Sequence, residues 1–230
     1  NLENIFIKLG RTQNDTNWDI SFLSGKSKLK GNGLLPSTNY GDIGGPSNST
    51  ANGLYELQRN AIYSHVDITE NTTNLLTLNV QHMLDADTEL ASTAYIRSGK
   101  QSRLSGEVVW DDPIRPNDIM GVFNGSDTTQ TSGGVSLNLT QLWNVHQLTM
   151  GAALDGNTSK YAATQAQDCA VDASRGVSTP CAIDTHETAS VKGQSWFLGL
   201  YAADTYKFNE ATHLTMAARY NHAQIQNTIT

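Results

Sequence analysis

Apolar and polar residues alternate with a period of two along much of this chain, and this alternation constrains the fold more than any other feature. In the segment NLLTLNVQHML, Leu76, Leu78 and Val80 fall on one side of an extended strand, while Thr77 and Asn79 fall on the other. Such alternation predicts strands with one apolar and one polar face. The pattern recurs in the segments that contain Ile5, Ile7 and Leu9; Trp18, Ile20 and Phe22; Val135, Leu137 and Leu139; and Leu214, Met216 and Tyr220.

The breaks between these strands are of two alternating kinds. Short polar turns lie near residues 14, 86, 145 and 211, whereas long segments rich in Gly, Ser, Asn, Asp and Pro span approximately 28–71, 107–130 and 165–193. Four short turns and three long loops separate eight strands. Short turns at one end and long loops at the other are typical of a transmembrane β-barrel, in which the short turns face the periplasm. We therefore predict an all-β, antiparallel up-and-down barrel.

The composition agrees with a barrel better than with a globular domain. Only 38% of the residues are hydrophobic and 16% are charged, and the mean hydropathy is −0.40. A membrane strand needs an apolar side chain only at every second position, over a band about 25 Å tall. The net charge of −7, with no cluster of Lys or Arg along the sequence, argues against nucleic acid as a partner.

The two cysteines lie in the polar stretch QDCAVDASRGVSTPCAID. Cys169 and Cys181 are twelve positions apart. This stretch favours a disulfide within a loop between Cys169 and Cys181 over a pair of free thiols. The disulfide interpretation implies an oxidising compartment such as the periplasm or the cell exterior.

Several segments together carry a family resemblance. The stretches at 17–36, 57–84 and 91–108, the run GNGLLP at 31–36, and the hairpin FLGLYAADTYKFNEATHLTMAARYNHAQI at 197–225 resemble the barrel of TonB-dependent outer-membrane receptors. The resemblance implies a 22-stranded barrel in the bacterial outer membrane, filled by an N-terminal plug, that imports a scarce nutrient. Iron-siderophore complexes are the commonest cargo of this family, with other metal chelates as variants. The resemblance also implies a transporter rather than an enzyme, energised by the TonB complex through a plug segment that is not present in this sequence.

Residues 1–230 are therefore expected to supply about eight strands of a larger barrel, as a fragment or as the ordered part of a longer receptor. The start of the chain has neither an initiator Met nor the regions of a signal peptide. Two other interpretations stay open. One is a self-contained eight-stranded outer-membrane barrel that acts as an adhesin or structural anchor, and the other is a secreted glycan-binding β protein.

The sequence contains no recognisable catalytic motif or metal-site spacing, and it implies no cofactor. The candidates for ligand contact are of two kinds. Arginines expected to face the barrel lumen are candidates because arginine binds oxyanions through two donors. Aromatic residues expected in or beside the long loops are the second kind. The candidates are Arg97, Arg103 and Arg219, and Tyr40, Tyr55, Tyr63 and Trp110. The arginines have an alternative role as partners of plug or barrel carboxylates such as Glu107 or Asp155. The expected partners are an iron-siderophore complex, outer-membrane lipid or lipopolysaccharide, and the TonB complex.

Overall fold

The structure is a computed structural model that describes residues 1–31, 66–111, 116–171 and 177–229, with the backbone alone at 108–111, 116–120, 171, 178–180 and 184. These residues form one sheet of eight antiparallel strands in which each strand pairs with the next along the chain. The strands are β1 (Leu2–Gln13), β2 (Thr16–Lys30), β3 (Ile68–Met83), β4 (Thr88–Asp111), β5 (Pro116–Trp143), β6 (His146–Val171), β7 (Val177–Lys207) and β8 (His213–Ile229).

The sheet is open, since β1 and β8 lie at its two edges. The predicted fold class, an all-β, antiparallel up-and-down arrangement forming part of a barrel, is confirmed. The part of the chain that the structure describes contains no helix long and apolar enough to span a membrane.

The structure corrects two of the three predicted long loops. Within 107–130, β4 continues to Asp111 and β5 begins at Pro116, and within 165–193, β6 continues to Val171 and β7 begins at Val177. Polar residues rich in Gly, Ser and Thr hide these strand extensions from a search for apolar alternation, because a strand that stands in water needs no apolar face. Of the third range, 28–71, residues 32–65 lie outside the described residues.

Four short connections join the strands at the end of the sheet opposite the predicted long loops. They fall at 14–15, 84–87, 144–145 and 208–212. Asn14 and Asn144 have φ angles of 50° and 53°, in the left-handed region that Asn tolerates and that two-residue hairpin turns require. In the turn at 84–87, the backbone N–H of Asp87 donates to Asp85 Oδ1 over 2.8 Å and holds the pKa of that carboxyl below its usual value.

The register gives the sheet two chemically different faces. One row of directly paired positions across the sheet consists of Leu9, Ile20, Leu78, Ala94, Val135, Leu154 and Leu198. This face, the apolar face, leaves large side chains uncovered: Ile7 is 60% exposed, Leu154 49% and Tyr220 59%. The sequence pattern leaves the two faces of β7 ambiguous. The register assigns Leu198 and Leu200 of this strand to the apolar face. The alternate positions form the polar face.

Aromatic side chains cluster at the short-turn end. The rings of Trp143 and His146 stack at a centroid distance of 6.0 Å, His146 meets Tyr206 at 5.0 Å, and Tyr206 meets Phe208 at 4.7 Å. Trp143, His146 and Tyr206 are directly paired across β5, β6 and β7. This arrangement suits an aromatic girdle at a membrane interface.

The end of the sheet away from the short turns carries a small buried cluster. It contains Phe123, Ala166, Cys169 and Val177, and Val177 is fully buried. The predicted disulfide between Cys169 and Cys181 is present, with an S–S distance of 2.08 Å. It joins directly paired positions of β6 and β7 and does not lie within a loop, because both strands extend into the segment that the sequence predicts as loop.

Candidate functional site on the polar face

A hydrogen-bonded chain crosses the polar face from β1 to β4. Lys8 Nζ lies 3.2 Å from Asp19 Oδ1, and Asn79 Nδ2 donates to the same oxygen over 3.1 Å. Thr93 Oγ1 then donates to Asn79 Oδ1 over 2.9 Å. These four side chains are hydrogen-bonded or ion-paired to one another, at the same height as the apolar band on the opposite face. Their contacts hold the polar side chains of β1 to β4 in place.

A second contact spans three strands. Tyr95 of β4, Gly134 of β5 and Asp155 of β6 are directly paired in one row, and the Tyr95 hydroxyl donates to Asp155 Oδ1 over 2.7 Å. A Cβ atom on Gly134 would overlap both the Tyr95 ring and the Asp155 carboxylate. The glycine is therefore required so that the tyrosine can lie across its backbone and reach the acceptor on the strand beyond.

The same arrangement occurs once more, one strand further along. Asn138 of β5, Gly151 of β6 and Tyr201 of β7 are directly paired, and the Tyr201 hydroxyl donates to Asn138 Oδ1 across Gly151. A Cβ on Gly151 would overlap the Tyr201 ring. A glycine has no side chain to pack against its neighbours in a strand. An aromatic ring that covers the glycine supplies that packing instead.

Replacing Tyr95 by Phe tests this contact. We expect Tyr95→Phe to lower the free energy of unfolding by about 1 kcal/mol, because it removes one hydrogen bond to a carboxylate and leaves the ring in place. The measurement is the urea midpoint of the protein in detergent. Tyr161→Phe is the matched control, since Tyr161 also lies on the polar face but is 41% exposed and donates no hydrogen bond within the described residues. Equal midpoints for the two variants would contradict the assignment.

The three predicted arginines all lie on the polar face and are exposed. Arg97 is directly paired with Leu75 and Ser132, and Arg103 lies six residues further from the short turn on the same strand. Arg219 pairs with Tyr201, and its Nε donates to Asn221 Oδ1 over 2.8 Å.

The register does not bring these arginines together. Pairing from Arg219 through Tyr201, Gly151 and Asn138 reaches Ala91, which is six residues from Arg97 along β4. Six residues of extended strand correspond to about 20 Å. Within the described ranges no ion pair links an arginine to Glu107 or Asp155, and Asp155 accepts its hydrogen bond from Tyr95. The arginines therefore mark successive heights along the polar face rather than one pocket.

The structure describes no side chain of the four aromatic residues predicted to contact ligand. Tyr40, Tyr55 and Tyr63 lie outside the described residues, and Trp110 lies on β4 where only the backbone is described. The described part of the chain holds no group of three or more His, Cys, Asp or Glu side chains arranged to bind a metal ion.

Sequence reasoning missed the two tyrosine contacts. A glycine inside a strand is a signal that another group approaches the backbone closely. The signal at Gly134 and Gly151 does not reveal which side chains approach, because that depends on the pairing of three strands.

Comparison with solved structures shows what this sheet is similar to. The open form of the ferric-catecholate import receptor Fiu from Escherichia coli K12 superposes with a TM-score of 0.69 at 16% identity, over 98% of this chain and 38% of that one. The unliganded ferric citrate transporter FecA gives 0.70 at 10% identity, over 99% and 30%. The described sheet has the fold of part of the barrel of these receptors. The resemblance to TonB-dependent receptors noted in the sequence is thus confirmed for the fold.

The ferric preacinetobactin receptor BauA from Acinetobacter baumannii is similar as well, with a TM-score of 0.65 at 7% identity, over 99% of this chain and 34% of that one. The chain thus spans 30–38% of the length of these three receptors. No protein-family model and no curated protein sequence matches the chain.

Proposed function

We propose that this chain forms part of the barrel of a bacterial outer-membrane receptor that imports a ferric chelate of the siderophore type. The observation that carries the proposal is the segregation of the two faces within this fold. The apolar face exposes Leu, Ile, Phe and Met side chains across all eight strands, and the polar face carries the hydrogen-bonded chain and the three arginines. In such a barrel the apolar face meets lipid and the polar face lines the lumen.

The open edges favour a larger barrel over the self-contained alternative. A closed eight-stranded barrel pairs its first strand with its last, whereas here β1 and β8 are the two edges of the sheet. Unpaired edges are not tolerated in hydrocarbon, because no water is available there for the backbone groups. Further strands of the receptor therefore pair with both edges, and the plug fills the lumen beside the polar face. The TonB complex acts through that plug.

Arg97 and Arg103 are the side chains best placed to contact an anionic ferric chelate. Both project from the polar face of β4, and Arg103 lies nearer the end opposite the short turns, where the ligand enters. Each guanidinium can donate two parallel hydrogen bonds to a carboxylate or catecholate oxygen pair. Neither is in an ion pair within the described residues, so binding does not have to break an existing one.

Arg97→Gln in the complete receptor is the test of this role. We expect the variant to bind the ferric chelate about tenfold more weakly, since it loses a charge-assisted pair of hydrogen bonds. Affinity is measured by tryptophan fluorescence quenching with purified receptor, and uptake by growth of an iron-limited strain that depends on the receptor.

Arg11→Gln is the matched control, because Arg11 pairs with Trp18 on the apolar face near a short turn. Equal affinity of the Arg97 and Arg11 variants would remove Arg97 from the binding surface. Failure of the unmodified, purified receptor to bind any ferric chelate of the siderophore type would contradict the proposed function itself.

A further inference from the structure

Three apolar side chains interrupt the polar face in one row across β1, β2 and β3. The register pairs Phe6 with Leu23, Leu23 with Leu75, and Leu75 with Arg97. In the sequence each of the three stands beside an apolar residue of the opposite face, as in NIFIKL, SFLSG and NLLTL, so the alternation is broken at the same row on three adjacent strands. We call Phe6, Leu23 and Leu75 the apolar strip.

The apolar strip is open to the space in front of the polar face. Phe6 is 63% exposed, and Leu23 and Leu75 are each partly exposed. A contiguous exposed patch of apolar side chains among polar ones marks a contact surface. A wall that met only water would not need apolar side chains at adjacent positions on three strands. The strip therefore indicates contact with an apolar group inside the lumen.

A depression lies on the polar face on the side of the strip away from the short turns. It has a volume of about 260 Å³, and its lining includes Leu2, Leu23, Gly25 and Thr73. Gly25 and Thr73 are directly paired in the row next to the strip. A Cβ atom on Gly25 would meet only the side chain of Asn4, so the glycine leaves the floor of the depression low.

Polar side chains close the depression on its far side. Asn71 Nδ2 donates to Ser27 Oγ over 3.2 Å, and Gln101 Nε2 donates to Asn71 Oδ1 over 2.9 Å. Ser27 is directly paired with Asn71, and the row they share is four residues from the strip, about 13 Å along the strands. The space between the two rows therefore runs across the strands, with an apolar wall on one side and an amide wall on the other.

The apolar strip ends at a positive charge that the described residues do not compensate. Arg97 is exposed and forms no ion pair within the described ranges. Of the acids on this face, Asp19 is ion-paired with a lysine, and Asp155 accepts the hydrogen bond from Tyr95. Three strand spacings separate Arg97 from Phe6, which corresponds to about 14 Å across the sheet. An anion with a linear apolar tail complements both features.

We propose that the imported ferric chelate carries an acyl tail, which lies along the apolar strip while the anionic iron-binding group contacts Arg97. A linear chain can follow a row of three side chains spaced about 4.8 Å apart. An entirely polar chelate would leave the strip uncovered. This inference rests on the proposed function and deepens it, because it narrows the ferric chelates to amphiphilic ones.

The test is calorimetric titration of the complete receptor in lipid nanodiscs, with empty nanodiscs as the blank for partitioning of the tail into lipid. The probes are two forms of one ferric tris-catecholate, which differ only in carrying an octanoyl or an acetyl group. We expect the unmodified receptor to bind the octanoyl form about tenfold more tightly. Leu23→Ser/Leu75→Ser should abolish this preference and leave the affinity for the acetyl form unchanged. Arg97→Gln should weaken the binding of both forms alike.

Ile225→Ser is the matched control. Ile225 is also an apolar residue of the polar face, 65% exposed, but it lies at the β8 end of the row that contains the strip. Its substitution should leave the preference for the octanoyl form intact.

Equal affinity of the unmodified receptor for the two forms would overturn the proposal. So would an equal loss of affinity for both forms in Leu23→Ser/Leu75→Ser together with a lower urea midpoint, because the strip would then pack against the plug. Binding of neither form overturns the proposal too, and it contradicts the proposed function only if ferric hydroxamates and ferric citrate also fail to bind.

Discussion

Replacing Leu78 by Arg in the complete protein should lower its stability in a bilayer by about 2–4 kcal/mol, because the proposed barrel places Leu78 on lipid-facing surface near the middle of the apolar band. Leu78 pairs with Ile20 and Ala94 on the apolar face and is 39% exposed. The measurement is the urea midpoint of the receptor folded into vesicles, with heat-modified gel migration as the readout of the folded form.

Thr77→Arg is the matched control for this substitution. Thr77 is the adjacent residue on the same strand, but it pairs with Ser21 and Tyr95 on the polar face. We expect its cost to be well under half that of Leu78→Arg, since a lumen-facing arginine stays hydrated. If the two variants had the same midpoint, or if Thr77→Arg were the more harmful, the assignment of the faces would be wrong.

Removing the disulfide should destabilise the far ends of β6 and β7 by about 3 kcal/mol, the value expected for a closed loop of roughly this length in the chain-entropy model. The double variant Cys169→Ala/Cys181→Ala also loses packing within the small cluster, because Cys169 is only 4% exposed. Hydrogen exchange of the amides at 166–171 and 177–183 measures the effect, and we expect it to accelerate by about a hundredfold.

The central part of the sheet provides the internal comparison for the disulfide. Amides at 74–80 of β3 should exchange at the same rate in both forms, because the bond closes only the segment between β6 and β7. Exchange that accelerates equally over the entire sheet would show that the disulfide supports global rather than local stability. Unchanged exchange at 166–171 and 177–183 would show that the pairing of β6 and β7 near the disulfide does not depend on the bond.

The sequence predicts the strands best where each has an apolar face. Around Leu76, Leu78 and Val80 the period of two is unbroken, and the structure places all three on the apolar face. The same signal fails between Gln165 and Val171, where β6 carries polar and small residues and both faces stand outside the apolar band. In the proposed barrel, only strand segments that face lipid need an apolar side chain at every second position, so segments that continue into water show no such alternation.

The contacts of the polar face are harder to predict than the strands. Alternation alone assigns Arg97 to the polar face. The hydrogen bond from Tyr95 to Asp155 cannot be predicted in this way, because it depends on the register of β4, β5 and β6 and on the absence of a side chain at Gly134.

The most direct test of the central account is a nitroxide scan of residues 135–139 on β5 in the complete receptor, reconstituted in vesicles and collided with oxygen and with a water-soluble nickel chelate. The account predicts that labels at Val135, Leu137 and Leu139 are preferentially accessible to oxygen in the lipid. Labels at Ser136 and Asn138 should be preferentially accessible to the nickel chelate or shielded by the plug. Equal accessibility to the nickel chelate at all five positions would contradict a membrane-spanning strand and with it the barrel.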